Sequence, residues 1–572
     1  MSTEKEKMKI FVYTRPVNPE SYPEGLARSV HLACESEAGL RLPFNRNYGI
    51  LFAEGRISPE NTIIPAGVRS PVIFQAEDGW IGIAAERVQE DGSPDETAGD
   101  RMLLWKTKDL IHFEFAGLAD RSRLMARNPS GSMEADAGLV REALRYWSPV
   151  VSTGAEVPEA VSASSARELE SIRARIRYSD GSAREKRIEW NSESVRFDLP
   201  GIYEAKGKLS QQAFHFPLAK GYGDPVIFPW EGKWYYISTN DNLDDIGLYV
   251  REAETEAGLF AEGIREHLIL PFDPDRGLEQ TFWAPEFHVI GGELWILFAV
   301  SGHAWGPQCH MMRKKPNGRI TDPDAWEDPV RVVRKDGKPL AEGPITLDMT
   351  YIRAESGSYV IWSYRERIGT PLDSGSMLYI ASIDEQEPWR LSSDPVLLTR
   401  PLLGWENVSG TINNEGPNSF QRGGMVYVTY SGGSANRYTY ALGLLTARTD
   451  SNLLDPASWH KRITPVLTFY SVEGEYGPGH NSFFVNEEGE LMIAYHAETG
   501  LSETLRCDGI RRVHFRKDGE PYFQMSSRED LEETEFTVWV TVPGPEGRAP
   551  QPSSPDAAAA ESLHPKEGQN HC

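Results

Sequence analysis

Cysteine is scarce in this chain. Cys34, Cys309, Cys507 and Cys572 are the only four in 572 residues. No two of them stand at a metal-ligand spacing, which argues against a zinc ribbon or finger. Isolated thiols also staple no small secreted scaffold, so free thiols in a reducing compartment are expected. Positive charge is short as well: Lys and Arg total 59 against 84 Asp and Glu, a net charge of -25. That balance argues against nucleic acid and anionic membrane as partners. Long apolar runs are missing too. No stretch reaches the length of a membrane span, and the opening MSTEKEKMKI carries no apolar segment before a small-residue cleavage site. A soluble, cytoplasmic protein is the expectation. No glycine-rich loop sits in a strand-to-helix context, so no organic cofactor is expected.

What the chain has in quantity is a repeat. DPVIFPWEGKWYYISTN at 224–240 recurs as APEFHVIGGELWILFAV at 284–300 and DMTYIRAESGSYVIWSY at 348–364. It recurs again as GPNSFQRGGMVYVTYSG at 416–432 and GHNSFFVNEEGELMIAYHA at 479–497. Each copy is an apolar strand, a glycine-containing turn and an aromatic-rich strand, a hairpin pattern. The starts lie 60, 64, 68 and 63 residues apart, and third strands follow at 246–254, 376–384 and 441–448. Four strands per unit and five units predict an all-β fold, a five-bladed β-propeller over 216–530.

Residues 70–87 resemble a sixth copy in which Ser70 stands where a later unit has Asp224. This predicts a blade-like N-terminal β-module over 1–120. The pattern then changes, and 173–191 and 194–209 read as strand pairs around Ser-Asp-Gly-Ser and Pro-Gly. A small immunoglobulin-like β-sandwich is expected over 121–215. The Pro-, Ala- and Ser-rich residues 541–572 read as a disordered tail. The first 215 residues are expected to be non-catalytic: to cover a propeller edge, shape the channel mouth or hold a homo-oligomer contact.

Three of the five units place a carboxylate at or just before their first strand: Asp224, Asp348 and Glu415. Inner propeller strands converge on the axis, so these acids are expected to meet in one cavity. Two carboxyl groups across a cleft, one protonated and one ionised, are the machinery of glycoside hydrolysis. A third raises the acid's pKa by like-charge repulsion. Each has a plainer reading, as a turn residue or a solvated loop acid.

The segments Asp-Pro at 224–225, Trp-Ala-Pro-Glu at 283–286, Glu-Gly-Pro at 415–417 and Gly-Pro-Gly-His-Asn-Ser-Phe at 477–483 together resemble glycoside hydrolase family 43, over about 218–525. The resemblance implies an inverting mechanism with Asp224 as base, Asp348 as the residue tuning the acid, and Glu415 as acid. It also implies an axial His480 beside a calcium or other ion held largely by water. Trp283 is expected to stack on sugar, with a core role as the alternative. Glu286 is read as an ion-pair partner of an arginine rather than a catalyst. Of Arg511 and Arg512, the reading assigns substrate hydroxyls to Arg512, against structural pairing. The expected activity is release of pentose from oligosaccharides, α-L-arabinofuranosidase first and β-xylosidase second. Exo action follows from the expected location, because only short oligomers enter a cell. A propeller phosphorylase and a non-catalytic sugar-binding propeller are the rivals.

Overall fold

The aromatic-rich strands are apolar on both faces. In the strand Glu293–Gly302 every residue from Leu294 to Val300 is buried. A strand of that kind must be covered on two sides, and stacked sheets do this for one another. The computed structural model describes residues 6–209, 214–410, 412–531 and 534–544. Four successive four-stranded antiparallel sheets and one of three strands follow in chain order. Their first strands are Tyr222–Trp230, Gln280–Ile290, Ile345–Ala354, Asn414–Arg422 and Tyr476–Val485. Each first strand touches the next, and the fifth touches the first, so the five close a ring. This is the five-bladed propeller that the repeat predicts.

Two features secure the ring. A separate apolar cluster fills each gap between blades; Val226, Ile237, Phe287 and Ile296 lie in the one between blades one and two. The chain ahead of blade one also completes blade five. Leu218 N–H donates to Asp508 O, Asp508 N–H to Ala219 O, and Gly221 N–H to Arg506 O, at 2.8–2.9 Å. The segment ahead of blade one thereby pairs with the start of the last strand and covers that part of its edge. The tight turns follow the sequence closely. Gly291-Gly292 and Gly423-Gly424 have φ of 61° and 84°, and of 59° and 76°, the left-handed pair that a two-residue hairpin turn requires.

The N-terminal boundaries differ from those the sequence predicts. Residues 1–154 and 177–183 belong to the same compact unit as the propeller. They hold two four-stranded sheets and the helix Ala137–Trp147. The sequence reading has no helix there, although Asp136 is a clear cap whose carboxylate accepts from Gly138 and Leu139 N–H. Tyr22, Leu26, Tyr48 and Phe52 share one core cluster with Trp405 and Tyr430 of the propeller. Apolar burial of that kind is why 1–120 is not a separate domain. The sixth copy is a real four-stranded sheet. Its first strand Ala66–Gln75 has a register slip between Arg69 and Val72, with Ser70 at φ 50° and exposed.

A second compact unit takes the described residues 155–176, 184–209 and 534–544. Its four-stranded sheet runs in the order Ala160–Ser162, Thr534–Val542, Gly201–Leu209, Glu189–Trp190. The strand Thr534–Val542 pairs along its whole length with Gly201–Leu209. The insert expected over 121–215 is therefore shorter at its start, and it needs a C-terminal strand that the sequence reading partly gave to the tail. Alternation of buried and exposed residues along TEFTVWVTV explains the strand. The rest of the expected tail, 545–572, lies outside the described residues.

Candidate active site

Every inner strand of the propeller breaks its ladder near its start. The register slips between Gly223 and Val226, Leu347 and Thr350, and Glu415 and Asn418. Asp224, Asp348 and Gly416 sit in these slips at φ of 58°, 54° and 56°, and His480 takes φ 40° in blade five. A bulge re-aims a side chain, and left-handed backbone at a non-glycine residue costs about 1–2 kcal/mol. Gly416 is needed for a second reason: a Cβ there would lie 2.8 Å from the ring carbon Cγ of His480.

Asp224, Asp348, Glu415, Trp283 and His480 all line one open cavity of about 1070 Å³, together with Arg365 and Arg506. Its size suits an oligosaccharide end rather than a single small ion. The carboxyl groups differ in ionisation. Burial would raise the pKa of Asp224, but His480 and Arg506 outweigh it and hold the group well below the usual range. His480 Nδ1 lies 3.0 Å from Asp224 Oδ1, Arg506 Nη1 3.1 Å from the same oxygen, and Thr239 Oγ1 donates to Oδ2 at 2.5 Å. Glu415 is pushed up to about 7, by burial first and then by the charge of Asp348. The Tyr440 hydroxyl donates to its Oε1 at 3.0 Å. Asp348 is raised by burial and by Asp224, against donation from Gly416 N–H and the Ser363 hydroxyl.

His496 completes the support. Burial lowers its pKa, and its neighbours fix the neutral tautomer. Its Nε2–H donates to Ala435 O at 3.2 Å, while Nδ1 accepts from Asp224 N–H at 3.2 Å. The Trp283 indole N–H donates to Asp245 at 2.8 Å. That bond sets the ring's attitude in the cavity, and burial raises Asp245 to about 6.

Two sequence assignments change. Arg512 does not reach the cavity: it is buried and ion-paired with Asp530 at 2.8 Å. Arg511 is likewise paired with Glu475. The cavity arginine that meets Asp224 is Arg506, which bridges Asp224 and Asp241. Sequence reasoning missed it, along with His496 and Tyr440, because none stands at the start of an inner strand, where the motifs were sought. Glu286 is buried and bonded to His288 and Asn418, not to an arginine.

Among the described residues, no three His, Cys, Asp or Glu side chains group as a metal cage. His480 spends Nδ1 on Asp224, and calcium wants roughly six to eight oxygens. The side chains do not fit a calcium ion bound directly, and no chemical step is routed through one.

The sequence model for glycosyl hydrolases family 43 matches residues 224–521. The chain belongs to that family. Among family relatives, the chain is 30% identical over 337 residues to an extracellular exo-α-(1→5)-L-arabinofuranosidase of Streptomyces avermitilis, covering 57% of this chain and 66% of the relative. It is 31% identical over 313 residues to α-L-arabinofuranosidase 43 of Humicola insolens, covering 52% and 61%. It is 30% identical over 307 residues to an extracellular exo-α-(1→5)-L-arabinofuranosidase of Streptomyces chartreusis, covering 52% and 86%. The match thus spans less than two thirds of the first two relatives. Two of these family 43 relatives are named extracellular, which overturns the expected cytoplasmic location. A low cysteine count is no guide here, because a large core needs no disulfides; Cys34, Cys309 and Cys507 are buried free thiols.

Proposed function

We propose that this family 43 chain is an inverting exo-α-L-arabinofuranosidase acting on arabino-oligosaccharides. One observation carries the reading: Asp224 and Glu415 line the same cavity, the first held ionised and the second raised to about 7. Opposite protonation of two carboxyl groups is what acid–base hydrolysis needs. The Glu415 carboxyl gives its proton to the glycosidic oxygen as the bond to the anomeric carbon breaks. A water attacks that carbon from the other face, and the Asp224 carboxylate takes the water's proton. Arg506 and His480 keep Asp224 charged, and Asp348 keeps Glu415 protonated. The Trp283 ring offers an apolar wall to a sugar face.

The relatives' names support the arabinofuranose substrate and exo action; location no longer enters the argument. The phosphorylase rival needs a cluster of cations for phosphate, and of the three arginines that line the cavity, Arg365, Arg437 and Arg506, two are held by carboxylates. Arg506 is held by Asp224 and Asp241, and Arg365 by Asp373. The test sets purified protein against aryl α-L-arabinofuranosides, aryl β-D-xylosides and arabino-oligosaccharides, with proton NMR early in the reaction. Arabinose released in the inverted configuration is expected. A strong preference for xylosides would overturn the substrate. Retention of configuration would overturn the role of Asp224 as base, and no turnover on any pentoside would overturn the activity.

A further inference from the structure

A hairpin of the N-terminal segment meets loops that flank the cavity. Residues 56–64 form a hairpin of the strands Arg56–Ile57 and Ile63–Ile64, closed by Asn61 N–H to Ser58 O and Ser58 N–H to Thr62 O. Asp95 anchors its base through Arg56 at 3.3 Å and Arg87 at 2.8 Å. The tip faces Arg400, a buried arginine between blades three and four. Asn61 Oδ1 accepts from Arg400 Nη1 at 2.7 Å, and Asn61 O from Nη2 at 3.0 Å. The same Nη2 donates to Ser374 O at 3.2 Å, and Nε has no partner among the described residues. A buried guanidinium depends on every acceptor it has, and Asn61 supplies two of these three bonds.

Ser374 closes the loop 366–375. Its hydroxyl accepts from Glu366 N–H at 2.9 Å, and its own N–H donates to Glu366 O at 3.1 Å. Arg365, just ahead of the loop, donates to both carboxylate oxygens of Asp373 at 2.8 and 2.7 Å and to Asn413 Oδ1 at 2.9 Å. Arg367 donates to the hairpin's Glu60 O at 2.7 Å. Arg365 and Ile368 both line the cavity of Asp224 and Glu415.

We propose that the hairpin 56–64 is a positioning element of the active site: Asn61, through Arg400 and Ser374, and Glu60 O, through Arg367, hold the loop that sets Arg365 and Ile368 on the cavity wall. The proposal rests on the function assigned above for its kinetic part and on hydrogen bonds alone for its structural part. It gives the N-terminal segment a role in substrate fit, although none of its residues touches the cavity. The charge of Arg365 is also felt by Glu415, whose pKa it lowers, so a displaced loop disturbs the acid as well as the wall.

Asn61 has φ 69°, a conformation that glycine adopts freely. Asn61→Gly therefore removes the Oδ1 acceptor and keeps the turn, while Asn61→Asp keeps an acceptor. Both variants of the full chain are compared with wild type by hydrogen exchange of the 366–376 segment and by kcat and KM on an aryl α-L-arabinofuranoside. The expected result for Asn61→Gly is faster exchange in that segment and a kcat/KM lower by about threefold to tenfold, with Asn61→Asp near wild type, as small misplacements at a reacting site do. Unchanged exchange in Asn61→Gly overturns the proposal. Faster exchange with kcat and KM both unchanged overturns it too, because the loop then moves without consequence. Should Asn61→Gly not fold, Arg367→Ala carries the same two measurements. A wild type inactive on every pentoside defeats the proposed function, while the exchange comparison still decides whether the hairpin holds the loop.

Discussion

Asp224 and Glu415 share a cavity, yet their neighbours give them opposite charge states. Asp224 faces Arg506 and His480; Glu415 faces Asp348 and a tyrosine hydroxyl. Asp224→Asn and Glu415→Gln should each lower kcat by at least about 10²–10⁴, the range for acid–base catalysis. An aryl arabinofuranoside with a good leaving group should partly restore Glu415→Gln, because it needs less protonation. Near-normal turnover of an oligosaccharide by either variant would reject that residue's role. The pH profile follows from the same groups. In the proposed mechanism Glu415 works protonated, so kcat/KM should fall as pH rises through about 7. Asp224 works ionised, so the acid limb should lie below the ordinary carboxylate range. Asp348→Asn removes a negative neighbour, which stabilises the Glu415 carboxylate and lowers its pKa. Its alkaline limb should move to lower pH by up to about one unit; a limb that stays put would show that Asp348 does not tune the acid.

At the scale of the strand, the bulge turns one side chain of each inner strand out of the ladder. The backbone slip recurs in the N-terminal sheet at Ser70, with a hydroxyl in place of an acid and an exposed position in place of a cavity. The bulge is thus a property of the repeat, and chemistry depends on the side chain placed in it. Gly416 tests this. Gly416→Ala should lose about 1–2 kcal/mol from its left-handed backbone. It should also lose turnover, since the new Cβ displaces the His480 ring that pairs with Asp224. Gly424→Ala is the control. It has a similar φ, 76°, in an outer turn with nothing within 4 Å of its Cβ, so it should lose stability alone. Urea unfolding and kcat together separate the two, and equal turnover in both variants would mean that the His480 contact does not matter.

At the scale of the molecule, the propeller and residues 1–154 share a core, so a chain starting near 216 should not be an independent enzyme. It would uncover Trp405 and Tyr430 where Tyr22, Leu26 and Phe52 now cover them, at about 1.5–3 kcal/mol per large side chain. Loss of soluble expression or a much lower melting temperature is expected. A truncated chain that is equally heat-stable and active would show the segment to be dispensable. The propeller, its five units and the three acids were legible in the sequence because they repeat: strand period, turn glycines and carboxylates recur at nearly fixed spacing, and local rules govern each. Arg506 was not legible, and neither was the mistaken choice of Arg512 only six residues later. Both lie near one strand, and only the pairing of that strand with residues 218–221 and its neighbours decides which arginine meets Asp224 and which meets Asp530. The same holds for the N-terminal boundary and the strand Thr534–Val542. Contacts between residues hundreds of positions apart carry no periodic signal, so the sequence alone determined the repeat and its acids, while tertiary packing decided their partners, their charges and the extent of the folded unit.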